Sequence, residues 1–189
     1  GHVTGVQTCL FRSTRLVQLY GEALEKAAQG ELAGAGGLLR RVAAYSPSLP
    51  EPIMALGALA LRGGNATPAL RFLARALGVD PLNPHGLYNQ ALALEALGRE
   101  PDATANLRRA LASAPGFAAV QGALGRAELR SSNVAPAALR LRRAIASTPR
   151  DPELHIDLGH ALRAAGQHLA AIARDRKSTR LNSSHVALS

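Results

Sequence analysis

Arg126 and Arg130 stand four residues apart, so on a helix they project from one face. Two adjacent guanidinium groups can grip a carboxylate through paired hydrogen bonds, and partial burial keeps that attraction from being fully screened. The ligand such a pair would take is an acidic segment or a free C-terminus. A second arginine series runs through Arg41, Arg75, Arg109 and Arg143, with Arg40, Arg108 and Arg142 beside three of them. Such a ladder could neutralise phosphates, but aromatic residues make up only 3% of the chain and no stacking platform for single strands is visible. Basic residues near a helix C-terminus also favour its dipole, and their long stems cover apolar surface. The ladder therefore reads as a solvated outer face, where a change such as Arg109→Gln is expected to be nearly neutral.

The remaining candidates carry no catalysis. His155, His160 and His168 are spaced by five and eight residues, unlike the i, i+4 pair that presents two metal ligands on one helix face. Glu100 and Asp102 flank Pro101 near the start of a helix, where carboxylates suit the positive end of the dipole. Asn65, Ala66 and Thr67 spell a glycosylation acceptor, but an Asn is also expected where a helix begins. There is no Gly-rich phosphate loop, zinc-ligand spacing or nucleophile elbow. The expectation is a non-enzymatic chain without metal or cofactor.

What must position the arginines is a repeat. Pro47, Pro81, Pro115 and Pro149 follow one another at 34 residues. The same register carries Ala35, Ala69, Ala103, Ala137 and Ala171, and also Gly30, Gly64, Gly98 and Gly166, with Ser132 in the missing place. Leu39, Leu73, Leu107 and Leu141 come four residues after the alanines, and Val42, Ala76, Ala110 and Ala144 three residues later. Apolar residues recur at three and four on both sides of Gly64, which describes two amphipathic helices and a turn. The glycine can adopt the left-handed conformation that ends the first helix, and the proline stops the second. Small residues at Gly57 and Ala69 let the helices approach, with Leu56, Leu73 and Leu77 filling the space between. Neither helix could bury its stripe alone, so neighbours must stack.

These residues resemble the tetratricopeptide repeat (TPR) family, whose pattern places Leu-Gly, Ala and Pro at set positions of a 34-residue unit. The second unit supplies Ile53, Leu56, Gly57, Ala60, Ala69, Leu73 and Pro81, and the fifth Leu158, Gly159, Leu162 and Ala171. The first unit departs with Glu22 and Ala23, and the third with Gln90 and Ala91, in the Leu-Gly slot. The resemblance implies an all-α fold, a right-handed superhelix of five antiparallel helix pairs beginning near Leu16. Its units are 16–49, 50–83, 84–117, 118–151 and a truncated 152–174, with turns on Gly30, Gly64, Gly98, Ser132 and Gly166.

It also implies that first helices line a groove for a peptide or partner segment. Positions 2, 5, 6, 9, 12 and 13 of each unit face it, which here include Tyr20, Met54, Tyr88, Asn89, Leu92, Arg126, Arg130, Ile156, His160 and Arg163. Some members of the family hold a C-terminal carboxylate with Lys-Asn, Asn and Lys-Arg from three consecutive units. Asn89 and the Arg126, Arg130 pair resemble two of those three parts, while Met54 and Ala58 stand where the first Lys and Asn would be.

The two ends of the chain match the repeat poorly. If residues 3–9, VTGVQTC, are written GTG ACT GGA GTT CAG ACG TGT, the opposite strand translates as TRLNSSH, which is residues 179–185. The match continues, with a one-base shift, from residues 10–13 to residues 175–178. One DNA segment at both ends, inverted, resembles a sequencing-library adapter translated in each direction. Residues 1–13 and 175–189 are therefore expected to be adapter-derived, with residues 14–174 as the repeat array and Cys9 of no native role. The natural termini would then lie elsewhere.

Residues 14–174 number 161, enough for one domain with a sizeable core. They contain no cysteine, so they form no disulfide, and a cytoplasmic setting fits. Without the four basic residues and one acidic residue of the two ends, the 22 and 13 of the whole chain become 18 and 12. Seventeen of the 18 are arginine, which points to a GC-rich coding genome as one source of the basic balance. No apolar run approaches the roughly 18 residues that span a bilayer.

The leading expectation is a protein-interaction scaffold whose partner is a protein or peptide, with an acidic segment as the candidate ligand, and with no nucleic acid and no membrane. The sequence sets no oligomeric state. The alternative is the non-catalytic front of a larger bacterial enzyme of the sulfotransferase, hydroxylase or glycosyltransferase type.

Overall fold

The computed structural model describes residues 3–186, with side-chain surroundings for residues 14–169 and for Ile172 and Arg176. Its helices are α1 (Val3–Ala28), α2 (Leu32–Tyr45), α3 (Pro50–Arg62), α4 (Ala66–Val79), α5 (Pro84–Ala96), α6 (Glu100–Ser113), α7 (Ala118–Arg130), α8 (Val134–Ser147) and α9 (Pro152–Val186). Among the described residues there is no strand. No helix among them is long and apolar enough to cross a membrane. The fold is all-α, and its helices pair as the 34-residue register requires. The chain divides into two compact units, Gly1–Ala114 and Pro115–Ser189.

Within each pair the turn has one construction. Gly30, Gly64 and Gly98 take φ of 86°, 73° and 72°, and Ser132 takes 60°. At the second pair the Asn65 N–H donates to the Ala60 carbonyl at 2.8 Å and the Gly64 N–H to Leu61 at 2.9 Å, the double bond of a Schellman turn. Ser132 closes its turn in the same way, through Asn133 to Glu128 at 2.8 Å and Ser132 to Leu129 at 3.0 Å. A side chain is thus held where glycine is normally required, at roughly 1–2 kcal/mol. First helices start on a proline in three repeats, Pro50, Pro84 and Pro152, where the missing N–H costs nothing.

Burial follows the register. Leu39, Leu73, Leu107 and Leu141 are at most 1% exposed, and Ala35, Ala69, Ala103 and Ala137 are completely buried. Each such leucine contributes about 1.5–3 kcal/mol by leaving water. In the first unit Ala23, Leu39, Ala43, Ile53, Leu56 and Ala76 form one cluster, and Ala69, Leu73 and Ala93 a second. The second unit packs around Leu141, Ala144, Leu154 and Ala161. Where the Leu-Gly slot departs from the family pattern, the structure compensates. Ala23 and Ala91 are fully buried in the glycine's place, and Gln90 accepts a hydrogen bond from Asn106 Nδ2 at 2.8 Å. The positions equivalent to Gln90 and Asn106 in the second repeat are the apolar Leu56 and Phe72.

Three expectations are corrected. The first helix begins at Val3 rather than near Leu16. The fifth repeat does not turn at Gly166, because α9 runs unbroken from Pro152 to Val186. A second helix folded back would need apolar residues at the slots held by Asp175, Lys177 and Ser178. With nothing to bury there, continuing the helix keeps every backbone hydrogen bond at the cost of about 1 kcal/mol for an interior glycine. The array is therefore four helix pairs and a long ninth helix. Ala171, the last of the alanine series, lies outside the residues whose side chains are described. The third correction concerns Arg109, which is exposed yet not idle: its Nη2 donates to the Pro81 carbonyl at 3.1 Å and its Nη1 to Asn106 Oδ1 at 3.4 Å.

Candidate functional site

Tyr20 on α1, Met54 on α3 and Asn89 on α5 line one depression of about 290 Å³, together with Glu51, Asn83 and His85. The spacing that brings them together is the repeat itself, which returns the same helix face every 34 residues. Met54 is seated by Gly86, since a Cβ there would stand 3.2 Å from the Met54 sulfur and 3.0 Å from Leu77 Cδ2. Asn83 fixes the start of α5, accepting from the Gly86 N–H at 3.0 Å and donating to Asp80 Oδ2 at 2.9 Å. Both of its amide functions are thereby engaged.

The electrostatics of this depression are set by Glu51. Its carboxylate stands in the first turn of α3, where the helix dipole favours the charge. Burial first, and the Glu51 charge second, push the Tyr20 hydroxyl above its ordinary value of 10.0. Tyr20 thus holds its proton more firmly beside the Glu51 carboxylate. Glu51 and His85 occupy position 2 of their repeats, a groove-facing slot in the TPR pattern, so the spacing alone marks them.

Of the other expected groove residues in the first unit, Tyr88 and Leu92 are half-buried on α5 and do not line this depression. Tyr88 has an interaction partner of its own.

In the second unit, Arg126 is half-buried on α7 and Arg130 is exposed at that helix's last turn. Ile156, His160 and Arg163 lie exposed on α9, with Ile156 at 58%. Arg126 does not stand as an unopposed cation. Its Nη1 donates to Asp157 Oδ2 at 3.0 Å, and the Asp157 side chain is only 17% exposed. Asp157 is at position 6 of its repeat, also a groove-facing slot. Arg130 has a partner as well. The pair that on the sequence would grip a carboxylate is therefore partly occupied by the protein's own. His155 is engaged too, its Nε2–H donating to the Pro149 carbonyl at 2.9 Å. Among the described residues, no group of three or more His, Cys, Asp or Glu side chains is placed to hold a metal ion.

A second depression of about 440 Å³ opens between α4 and α6, with Gln90, Asn106, Arg99, Asp102 and Arg109 on its walls. Arg99 is tied to Asp102 at 2.7 Å, which leaves Arg109 as the remaining charge on its walls.

No protein-family model matches the sequence, and no curated protein does either. Solved structures do. The chain is similar to PilF of Pseudomonas aeruginosa at 20% identity and a TM-score of 0.74, covering 86% of this chain and 74% of that one. It is similar to MamA of Desulfovibrio magneticus at 20% identity and a TM-score of 0.68, covering 89% and 96%. It also resembles the O-GlcNAc transferase of Thermobaculum terrenum at 23% identity and a TM-score of 0.66, covering 71% of this chain but 26% of that one. At such identities the likeness shows the fold, and that fold is a TPR-like array of antiparallel helix pairs.

Proposed function

We propose that this chain is a protein-interaction scaffold that binds a peptide or partner segment along its first helices. One observation carries the reading: Tyr20, Met54 and Asn89, from three successive first helices, line a single depression. An apolar floor with a few convergent polar groups is the usual make-up of a binding site. The likeness to TPR-like structures supports the same reading. The array as it stands is non-catalytic, and its partner is a protein rather than nucleic acid.

In the second unit Arg163 and, beyond the partners they already have, Arg126 and Arg130 would favour acidic groups on a bound segment. Ile156, His160, Tyr88 and Leu92 remain candidate contacts of the same kind. A cytoplasmic setting belongs to this reading. To test it, peptides selected from a random library on the full chain are titrated against wild type and a Met54→Ala, Asn89→Ala double variant. Binding should fall at least about tenfold in the variant and stay unchanged in the outer-face control Arg75→Ala. Equal loss in both, or none in either, sinks the groove assignment.

A second reading has one observation behind it, the likeness to part of a glycosyltransferase chain. In that case the array is the non-catalytic portion of a larger enzyme of transferase or hydroxylase type. Sequencing the source DNA across both ends decides it, and also decides whether residues 1–13 and 175–189 derive from an adapter, as their inverted coding match supports. Removing those residues should leave helix content per remaining residue unchanged by circular dichroism; a cooperative collapse would mark them as native.

A further inference from the structure

We infer that the depression between α1, α3 and α5 is a seat for a basic side chain, a lysine or arginine, carried by the bound segment. The inference rests on the groove reading above and names the chemistry of its partner. Glu51 is the only carboxylate among the residues lining the depression, and the one imidazole there, His85, has an interaction partner of its own. It is exposed, and among the described residues it has no ion-pair or hydrogen-bond partner. In this it differs from Asp102, Glu128 and Asp157, each of which faces an arginine within 3.0 Å.

The rest of the lining suits a long aliphatic stem with a charged head. Met54, Ala55 and Ala58 give an apolar floor for the stem, as lysine and arginine stems cover apolar surface elsewhere. Among the lining residues, Tyr20 supplies an aromatic ring for the head and Asn89 a carboxamide that can accept from it. Tyr20 also stays protonated beside Glu51, burial being the first cause and the carboxylate the second, so no second negative charge arises. The volume of about 290 Å³ lies at the lower edge of the roughly 300–1,000 Å³ of small-molecule sites, which fits one side chain of a segment. An acidic side chain would meet Glu51 without any lysine or arginine among the lining residues to offset it.

The test uses the full chain and short fluorescent peptides, first selected on it, whose central residue is then varied among lysine, glutamine and glutamate. Anisotropy titrations should rank lysine above glutamine by about fivefold and place glutamate last. Glu51→Gln should level lysine with glutamine while leaving the glutamine peptide's affinity as in wild type. Raising the salt should shrink the lysine preference in wild type and leave the variant unmoved. If lysine and glutamine peptides bind equally to wild type, or glutamate binds best, the basic seat is wrong while the groove stands. If no selected peptide responds to Met54→Ala and Asn89→Ala, the groove and the seat fall together. Because Glu51 is exposed and unpartnered, Glu51→Gln should keep wild-type circular dichroism, and Glu51→Asp should retain part of the preference.

Discussion

Gly57 and Leu73 meet so closely that a Cβ on the glycine would stand 2.6 Å from Leu73 Cγ. Gly125 and Leu141 repeat the relationship two repeats later, at 2.9 Å. Gly57→Ala should therefore cost about 1–3 kcal/mol, because the branch point of a buried leucine cannot swing aside. Gly78 on α4 faces open space, and Gly78→Ala should be neutral or gain about 0.5–1 kcal/mol. Urea unfolding of the two variants checks this, and equal midpoints would falsify the close approach.

Ser132 carries a left-handed φ of 60° that three glycines carry elsewhere. Ser132→Gly should stabilise by about 0.5–1 kcal/mol, the relief of strain exceeding the added freedom of the unfolded chain. Ser132→Ala should bring no such gain. A thermal scan that ranks alanine with glycine speaks against a strained turn.

Gln90 and Asn106 replace the apolar contact that Leu56 and Phe72 make available in the repeat before. Gln90→Leu alone leaves the buried Asn106 amide N–H without its partner and should cost about 1–3 kcal/mol. The double change Gln90→Leu, Asn106→Phe should recover most of the loss, with a coupling of about 0.5–3 kcal/mol in the cycle. Additive effects would mean that the pair does not act as one.

Tyr20 titrates above 10.0 from burial first and Glu51 second. Spectrophotometric titration of Glu51→Gln should show its midpoint falling toward 10.0 but remaining above it. A raised folded value means that stability is unaffected below the unfolded value and declines as pH climbs through the folded one. Tyr20→Phe should soften that alkaline decline. An unchanged midpoint in Glu51→Gln would place the carboxylate away from the hydroxyl.

Asp157 competes for Arg126 with any acidic ligand. Asp157→Asn should raise the affinity of acidic peptides by about twofold to fivefold, and Arg126→Ala in wild type should lower it by less than that. Should acidic peptides ignore both changes, the cations of α7 and α9 form only a charged face.

Much of the fold was legible in the sequence, because a 34-residue register fixes which residues face inward before any contact is known. The buried leucine and alanine series and the turns at Gly30, Gly64, Gly98 and Ser132 follow from it. Gly166 misled, since a turn residue acts as one only when the helix after it has an apolar stripe to bury. The depression lined by Tyr20, Met54 and Asn89 was legible by slot. Charge was not, because Glu51 and Asp157 are read only once their neighbours are known: one carboxylate is unpaired, the other pinned to Arg126. Arg109 was misjudged for a similar reason. Its partner, the Pro81 carbonyl, is 28 residues away and invisible to periodicity.

Three of the repeat prolines share an office beyond stopping a helix. The carbonyls of Pro81, Pro115 and Pro149 each accept from a side chain, respectively Arg109 at 3.1 Å, Gln121 at 3.2 Å and His155 at 2.9 Å. Gln121 and His155 occupy the same slot of consecutive repeats, while that slot in the third repeat is Leu87, fully buried. The third repeat, which gives this slot to the core, brings its donor from the second helix instead. Guanidinium, carboxamide and imidazole thus do one job from two places, so in these three repeats the clasp belongs to the linker's surroundings rather than to one residue type. A transplanted repeat would have to carry its own clasp with it.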